Sequence, residues 1–351
     1  MSKLRTLTSH DVARHAGVSR ATVSVVINGA KSNIRVSDET RRRVLASVAE
    51  LGYSPHPVAQ ALRRQRSEII GFVTRPDRGT PYDGPVPYFL SIELARAAMR
   101  RRYHVIETSA ETNDARGSDE LVQFLLSRRV DGVIFDFPTS ADEVQRVIDR
   151  GLPTVQLMRP AFAAATDTVT VDARQGIETA VDYLVDHGHR RIAFIGHPGP
   201  HPVDRARLDL FAATLARRQL PLPDAYVRLG SDYSLAEGRS FTASLLALAD
   251  RPTAIFLGAD TLALGAMRAL YEAGVRVPDG MSVISYDDAF AAHLYPPLTS
   301  VTQPFAEVAN HAISLLTERL HRASDAASEP SHVVLATHLT IRDSVRRVEG
   351  G

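Results

Sequence analysis

The sequence predicts an α/β protein preceded by a small all-α head. Three observations carry that prediction. The first is a charge asymmetry. Residues 1–66 hold twelve Lys and Arg against four Asp and Glu, a balance of +8, and the remainder holds 29 against 36, a balance of −7. The second is a set of three short helical patterns within the basic head, separated by glycines. The third begins at Glu68, where short apolar runs alternate with amphipathic helical patterns, as in parallel sheets with crossover helices. At 351 residues the chain has room for two or three domains of roughly 150 residues.

In the head, Asp11–Ala16 reads as a short helix with Thr8 or Ser9 placed to cap it. Gly17 breaks it, Val18 follows as an apolar plug, and Ser19 can cap a second helix. There Val23, Val26 and Ile27 recur at helical spacing and face inward. Asn28-Gly29 ends that helix. A third starts at Ser37, with Asp38 and Glu39 favourable to its N-terminal dipole. Its expected buried stripe is Val44, Leu45, Val48 and Leu51, and Gly52 takes the C′ position. Three short helices with a tight glycine turn between the first two describe a helix-turn-helix unit, whose second helix enters the major groove. Arg20, Ala21, Ser24 and Val25 lie off the buried stripe and would face DNA. The charge alone fits either a polyanion-binding module or a solvated face.

Composition narrows the function classes. With 44% hydrophobic residues, disorder and collagen-like repeats are excluded. The chain has no cysteine, which removes disulfides, cysteine–zinc sites and cysteine nucleophiles. The start MSKLRTLTSH lacks an apolar signal core, and no later stretch approaches 18 apolar residues, so a cytoplasmic protein is expected. No P-loop, G-x-G-x-x-G or G-x-S-x-G motif is present. His187, His189, His197 and His201 span a turn and a strand without an accompanying carboxylate motif, so no metal and no cofactor is expected.

In the body, strand candidates are Ile69–Val73, Val105–Thr108, Gly132–Phe135, Thr154–Leu157, Thr168–Val171, Ile192–Gly196, Ala254–Gly258, Met281–Ser285 and Val333–Leu335. Between them lie helical patterns such as Phe89/Ile92/Met99, Leu121/Phe124/Leu125, Val144/Val147/Ile148, Ile177/Val181/Leu184 and Leu264/Met267/Leu270. Ligands of such sheets bind at the carboxyl ends of the strands.

The words of the sequence carry a further inference. Asp11-Val-Ala-Arg-His-Ala-Gly-Val-Ser-Arg-Ala-Thr-Val-Ser, Val26-Ile-Asn-Gly, Val36-Ser-Asp-Glu-Thr-Arg-Arg-Arg-Val and Leu51-Gly-Tyr-Ser-Pro resemble the head of the LacI/GalR family of bacterial transcription repressors. Val130-Asp-Gly-Val-Ile, Gly188-His-Arg-Arg-Ile-Ala-Phe-Ile-Gly, Val277-Pro-Asp-Gly-Met-Ser-Val-Ile-Ser-Tyr-Asp-Asp and Pro296-Pro-Leu-Thr-Ser-Val-Thr-Gln-Pro resemble its body. The resemblance spans residues 4–343. It implies a two-lobed, periplasmic-binding-protein-like body with parallel sheets.

It also implies a domain plan: a DNA-binding head over 1–55, a hinge helix or linker over 56–66, a body over 67–345 and a tail over 346–351. The N-lobe would take about 67–167 and 301–329, and the C-lobe about 168–300 and 330–345. By the same resemblance the DNA-contacting set is Thr8, Arg20, Ala21, Thr22, Ser24, Val25 and Asn28. Lys31 and Arg35 read as phosphate contacts or solvated charges. Val58, Ala59 and Leu62 fall in the hinge, with Leu62 as a minor-groove wedge. Val25 departs from the family's usual arginine; valine cannot read guanine, but it can meet a thymine methyl.

The effector set implied is Tyr88, Phe89, Arg159, Arg207, Asp260 and Asp287. Asp260 reads equally as a cap for the helix it opens, and Phe89 equally as core. Ala259, Leu210 and Met158 stand where the family commonly has Asn, Gly and Asp, which implies a less polar pocket or a different ligand. The expected function is a homodimeric, allosteric repressor bound to a near-palindromic operator and controlled by a small molecule, a sugar in the commonest case. The alternative is a ligand-binding protein or enzyme that uses the α/β body without a DNA role.

Overall fold

The computed structural model describes residues 7–28, 35–53, 66–74, 86–109, 115–136, 141–158, 166–197, 202–231, 233–321 and 329–348. It divides into two compact units between Ser67 and Glu68.

The first unit holds three helices, α1 (Ser9–Ala16), α2 (Arg20–Asn28) and α3 (Asp38–Leu51). Local chemistry sets each boundary. The Asp11 carboxylate accepts from the Thr8 amide at 2.9 Å and the Thr8 hydroxyl at 2.7 Å, fastening the start of α1. Gly17 ends α1 at φ 63, a left-handed conformation that glycine adopts at no Cβ cost. Ser19 accepts from the Thr22 amide at 3.0 Å, and Ser37 from the Thr40 amide at 3.2 Å, so α2 and α3 begin on hydroxyl caps. Val12, Ala13, Ala16, Val23, Val26 and Val44 form the buried centre, with Ile27, Val48 and Leu51 partly buried against it. Leu45 corrects the predicted stripe: it is 49% exposed, and Ser47 is buried in its place. The inward face of α3 therefore runs 44, 47, 48 and 51, and Leu45 is turned about 100° away from it. Ser47 is satisfied inside, donating to the Arg43 carbonyl at 2.9 Å.

The second unit contains β1 (Ile69–Val73), β2 (His104–Thr108), β3 (Gly132–Phe135), β4 (Thr154–Leu157), β5 (Asp167–Asp172) and β6 (Ile192–Gly196). It continues through β7 (Val227–Leu229), β8 (Ala254–Leu257), β9 (Ser282–Asp287), β10 (Thr299–Thr302), β11 (His332–Ala336) and β12 (His338–Thr340). They form two six-stranded sheets, ordered β11-β5-β4-β3-β1-β2 and β12-β10-β9-β8-β6-β7. Every pairing is parallel except β10 with β12.

The helices are α4 (Val86–Met99), α5 (Ala115–Phe124), α6 (Ala141–Asp149), α7 (Arg174–Asp186), α8 (Pro202–Arg217), α9 (Leu235–Leu246), α10 (Asp260–Glu272) and α11 (Phe305–His321). α5 runs on into a π-helical turn, Leu125–Arg129. Among the described residues, no helix is long and apolar enough to cross a membrane.

Each sheet is covered on both faces, which is why its strands read as continuous apolar runs rather than alternating ones. On the first sheet, Ile70, Phe72 and Val155 join Leu90 and Leu94 of α4 and Val308, Ile313 and Leu316 of α11. The other face carries Val73, Val133 and Phe135 with Leu121, Leu125, Val144 and Val147. Along β6 the residues alternate: Ala193 and Ile195 meet α9 and α10, while Ile192 and Phe194 meet α7 and α8. Each buried Val, Leu, Ile or Phe among these stabilises the fold by roughly 1.5–3 kcal/mol relative to exposure.

The chain passes between the sheets three times, after β5 (172–174), after β10 (302–305) and between β11 and β12 (336–338). The sequence reading placed these passages near 167, 300 and 329. They come later because β5 pairs along its length with β11, from Thr168↔His332 to Asp172↔Ala336, and both stay in the first sheet until those strands end. Thr337 ties two passages together: its amide and hydroxyl donate to the Asp172 carbonyl, both at 3.1 Å, and its hydroxyl accepts from the Gly176 amide at 3.1 Å.

Two helix faces also differ from expectation. The core stripe of α4 is Leu90, Leu94, Ala97 and Ala98, whereas Met99 is 68% exposed. In α10 the buried side is Leu262, Ala263, Ala266 and Leu270, with Leu264 and Met267 only partly covered. The tail from 346 docks on the second lobe through 348: the Arg346 amide donates to Ser282 Oγ at 3.1 Å and the Val348 amide to the His187 carbonyl at 2.8 Å.

Candidate functional site

The helix-turn-helix face comes first. Thr8, Arg20, Ala21 and Arg35 are exposed, and Thr22, Ser24 and Val25 are half-buried, while Asn28 is the last residue of α2. Thr22 is engaged locally, its hydroxyl 2.9 Å from Ser19 Oγ. Val25 is not among the side chains of the head's apolar cluster. That matches its position on α2, two residues from buried Val23 and so turned about 200° from it. Lys31, Val58, Ala59 and Leu62 lie outside the described residues.

In the second unit, the three passages leave β5, β10 and β11 at their carboxyl ends. The carboxyl ends of the two sheets therefore meet there, where α/β sheets bind ligands. A chain of contacts runs through this place. Gln303 Nε2 donates to Asp287 Oδ1 at 2.6 Å, and the Gln303 amide to the Asp287 carbonyl at 3.3 Å. The Phe305 amide donates to the Gln303 carbonyl at 2.9 Å. Phe305 stacks on Phe89 of the first lobe, with centroids 6.1 Å apart. Phe89 meets Phe290 of the second lobe edge-on at 5.8 Å. The Phe290 amide carries the chain on to Asp260, donating to Oδ2 at 2.7 Å, and the Ala291 amide donates to the same oxygen at 3.2 Å.

The charged residues of the site differ in environment. Asp287 ends β9 at φ 104 and is 2% exposed. Burial pushes its carboxyl up to about 7, against the opposing pull of Arg207. Asp260 is fully buried, and burial raises it too. The Arg207 guanidinium carbon lies over the Tyr286 ring, 4.0 Å from its centroid, and Nη1 donates to the Gly258 carbonyl at 2.8 Å. Tyr286 is itself buried, and burial pushes its hydroxyl up to about 12. The Tyr233 ring also lies near Arg207, at 5.9 Å, and stacks on His197 at 5.2 Å.

The structure thus brings together Phe89, Arg207, Asp260 and Asp287 of the expected effector set. Tyr88 is 64% exposed beside Phe89, at 5.6 Å, and Arg159 lies outside the described residues. Asp260 does not cap its own helix: α10 starts after Ala259 with no side-chain cap, and the Asp260 carboxylate holds the loop at 290–291 instead. Phe89 is half-buried at the edge of the first-lobe core rather than inside it. Gln303, Phe305, Phe290, Tyr286 and Tyr233 were not singled out from the sequence. Gln303 lies within the quoted Val-Thr-Gln-Pro string, but nothing local marks it as Asp287's donor.

Among the described residues, no group of three His, Asp or Glu is placed to hold a metal ion. His189 is fully buried between Thr253 Oγ1, at 2.8 Å, and the Arg346 carbonyl, at 3.2 Å. Burial lowers it to about 4, so it is a neutral structural group.

Comparison with known proteins matches residues 8–56 to the family model "Bacterial regulatory proteins, lacI family". Residues 181–345 match "Periplasmic binding protein-like domain". Catabolite control protein A of Priestia megaterium is 31% identical over 347 residues, covering 97% of this chain and 99% of that one. The ribose operon repressor of Escherichia coli (strain K12) is 33% identical over 316 residues, 89% and 93% of the two chains. Among solved structures, the lac repressor dimer bound to operator and the anti-inducer ONPF superposes with a TM-score of 0.79 at 30% identity, covering 97% of this chain and 100% of that one.

Proposed function

Because the chain belongs to the lacI family of bacterial regulatory proteins, we propose that it is a ligand-controlled, DNA-binding transcription repressor. The observation that carries this reading is the pairing of two parts in one chain. One is a helix-turn-helix head with a balance of +8, and the other is a two-sheet body whose carboxyl ends converge on Asp287 and Arg207. The chain acts as a homodimer in the cytoplasm, its two heads on the half-sites of a near-palindromic operator, and it performs no catalysis.

Each part has a physical role. Arg20, Ala21, Ser24 and Val25 on α2 read base edges, while Thr8, Thr22, Asn28, Lys31 and Arg35 position the head on the backbone. Val58, Ala59 and Leu62, between head and body, take the hinge role in DNA binding, with Leu62 as the minor-groove wedge. In the body, Asp287 and Arg207 hold the hydroxyls of a carbohydrate effector, with Phe89 against its apolar face. Tyr88, Arg159 and Asp260 complete the effector set. Asp260 works by fixing the loop that carries Phe290. The effector binds two body conformations with different affinity, and that difference is the only free energy available to change operator affinity.

Retention on non-operator duplex DNA tests the reading. The full chain should bind at low salt and elute with added salt, and a chain lacking residues 1–66 should flow through. Equal retention of both would contradict it.

A further inference from the structure

The turn from α4 into β2 holds a run of cations that its own structure does not require. Arg100, Arg101 and Arg102 follow Met99, the last residue of α4, and all three are exposed. Backbone bonds close the helix there. The Arg101 amide donates to the Ala98 carbonyl at 2.8 Å, the Arg102 amide to the Met99 carbonyl at 3.0 Å, and the Tyr103 amide to the Ala98 carbonyl at 3.0 Å. Arg102 takes the left-handed place in that ending, at φ 63. Glycine is favoured at such a place because a Cβ is a cost there, and Gly17 and Gly52 meet the same need after α1 and α3. Cations after a helix are favourable to its C-terminal dipole. That suits Arg100 and Arg101 but does not call for an arginine where glycine fits better.

The charge of the run is held outward rather than cancelled. Arg100 Nη2 donates to Asn310 Oδ1 at 2.7 Å, and Arg101 Nη2 to Ser314 Oγ at 2.6 Å, both on α11. These acceptors are neutral, so they orient two guanidiniums without neutralising them. The place of the turn matters equally. The His104 amide, at the start of β2, donates to the Glu68 carbonyl at 2.8 Å, and Glu68 is where the chain enters the body ahead of β1. The segment that tethers the head therefore leaves the body beside the three arginines. The acid nearest this entry, Asp131, is engaged by the Glu68 amide at 2.8 Å. Three successive cations here run against the balance of −7 carried by the rest of the body.

We propose that Arg100, Arg101 and Arg102 form a second DNA-contacting surface, on the body, that holds backbone phosphates while the head is bound. Arginine's planar fork of donors suits phosphate oxygens, and phosphate contacts add affinity without reading sequence. This rests on the DNA-binding reading above and extends it from the head to the body. Three cations on an acidic body are too few to hold DNA without the head, so a chain lacking residues 1–66 still flows through.

Fluorescence anisotropy with the full chain and a labelled non-operator duplex, titrated between about 50 and 200 mM salt, tests it. Each phosphate contact contributes about 0.9 to the slope of log affinity against log salt. Arg102→Gly should weaken binding about threefold or more and flatten the slope by about 0.9, while its urea midpoint stays the same or rises. Combining it with Arg100→Gln and Arg101→Gln should flatten the slope by about 2 to 3. Arg276→Gln, which removes an exposed arginine of the second lobe, should leave the slope unchanged. A wild-type slope in the triple variant would overturn the proposal and leave the head's role standing. A lower urea midpoint in Arg102→Gly alongside weaker binding would overturn it too, because the arginine would then serve the fold. An equal loss in Arg276→Gln would assign the effect to overall charge and overturn it as well. If the full chain failed to bind duplex even at low salt, the proposal and the DNA-binding reading would fall together.

Discussion

The Gln303 side-chain amide donates to Asp287 Oδ1 at 2.6 Å, and the two residues are joined a second time through their backbones at 3.3 Å. Asp287 closes the last long parallel strand of the second sheet, and Gln303 lies on a passage to the first. The bond therefore links the buried carboxyl of the site to a segment that must adjust whenever the lobes move.

Asp287 should make stability depend on pH. Its ordinary value is 3.8, and burial in the fold raises it to about 7. Between those values the folded chain holds a proton that the unfolded chain has lost. Stability should therefore fall as pH rises, by at most about 1.4 kcal/mol per unit. This contribution is complete below pH 3.8 and gone above about 7. Arg207 and the Gln303 amide pull the value down and the neighbouring Asp260 pushes it up, but burial dominates. Asp287→Asn removes the titration and keeps a residue that tolerates φ 104. Urea unfolding across this range should show wild type losing stability relative to the variant. Parallel profiles would place the carboxyl near its ordinary value.

Gly176 should not tolerate a methyl. A Cβ there would stand 2.4 Å from Val301 Cγ1 and 2.5 Å from Thr337 Oγ1, at the point where two interlobe passages are tied together. Gly176→Ala should lower stability by roughly 1–3 kcal/mol, the usual cost of overfilling a packed site. It should also weaken the effector response more than operator binding. An unchanged urea midpoint would show that the passages yield without strain.

Arg207→Ala should abolish the effector response and leave operator affinity intact. Removing one partner of a charged hydrogen bond costs on the order of 1.5–3 kcal/mol, and the contact with the Tyr286 face is lost too. Operator titrations with and without effector measure this. A normal response would take Arg207 out of the site.

Val25 should set base preference. It stands outside the head's apolar cluster, and its side chain can neither donate to guanine nor accept from cytosine. Wild type should prefer A·T at the pair it faces, and Val25→Arg should shift that preference to G·C, each wrong base costing roughly 1–3 kcal/mol. Selection from a randomised operator decides it. Identical preferred sites for both proteins would mean that Val25 reads nothing.

The parts legible in the sequence share a physical reason. Strands buried on both faces, such as Ile192–Gly196 and Ala254–Leu257, announce themselves as apolar runs, and the head helices announce themselves through Ser19, Ser37, Gly17 and Gly52. What stayed hidden depends on partners remote in sequence. β7, β10 and β12 are three or four residues long, and Thr299–Thr302 and His338–Thr340 are mostly polar. Each is a strand only because a neighbour completes it. The face of α4 misleads because apolar residues surround it, and small alanines at 97 and 98 take the buried side that Met99 would claim by hydropathy. Asp260 carries two local readings, and its observed partners are amides 30 and 31 residues away.

The central claim is sequence-specific DNA binding under ligand control, and genomic-fragment selection with the purified full chain tests it most directly. Selected sites are then titrated at two salt concentrations, with and without effector. The account predicts enrichment of a near-palindromic site bound by two chains, with an affinity that changes when effector is added. With six to ten phosphate contacts, binding should weaken by roughly 10³–10⁵ between 50 and 200 mM salt. No enriched site, or binding indifferent to salt, would contradict it.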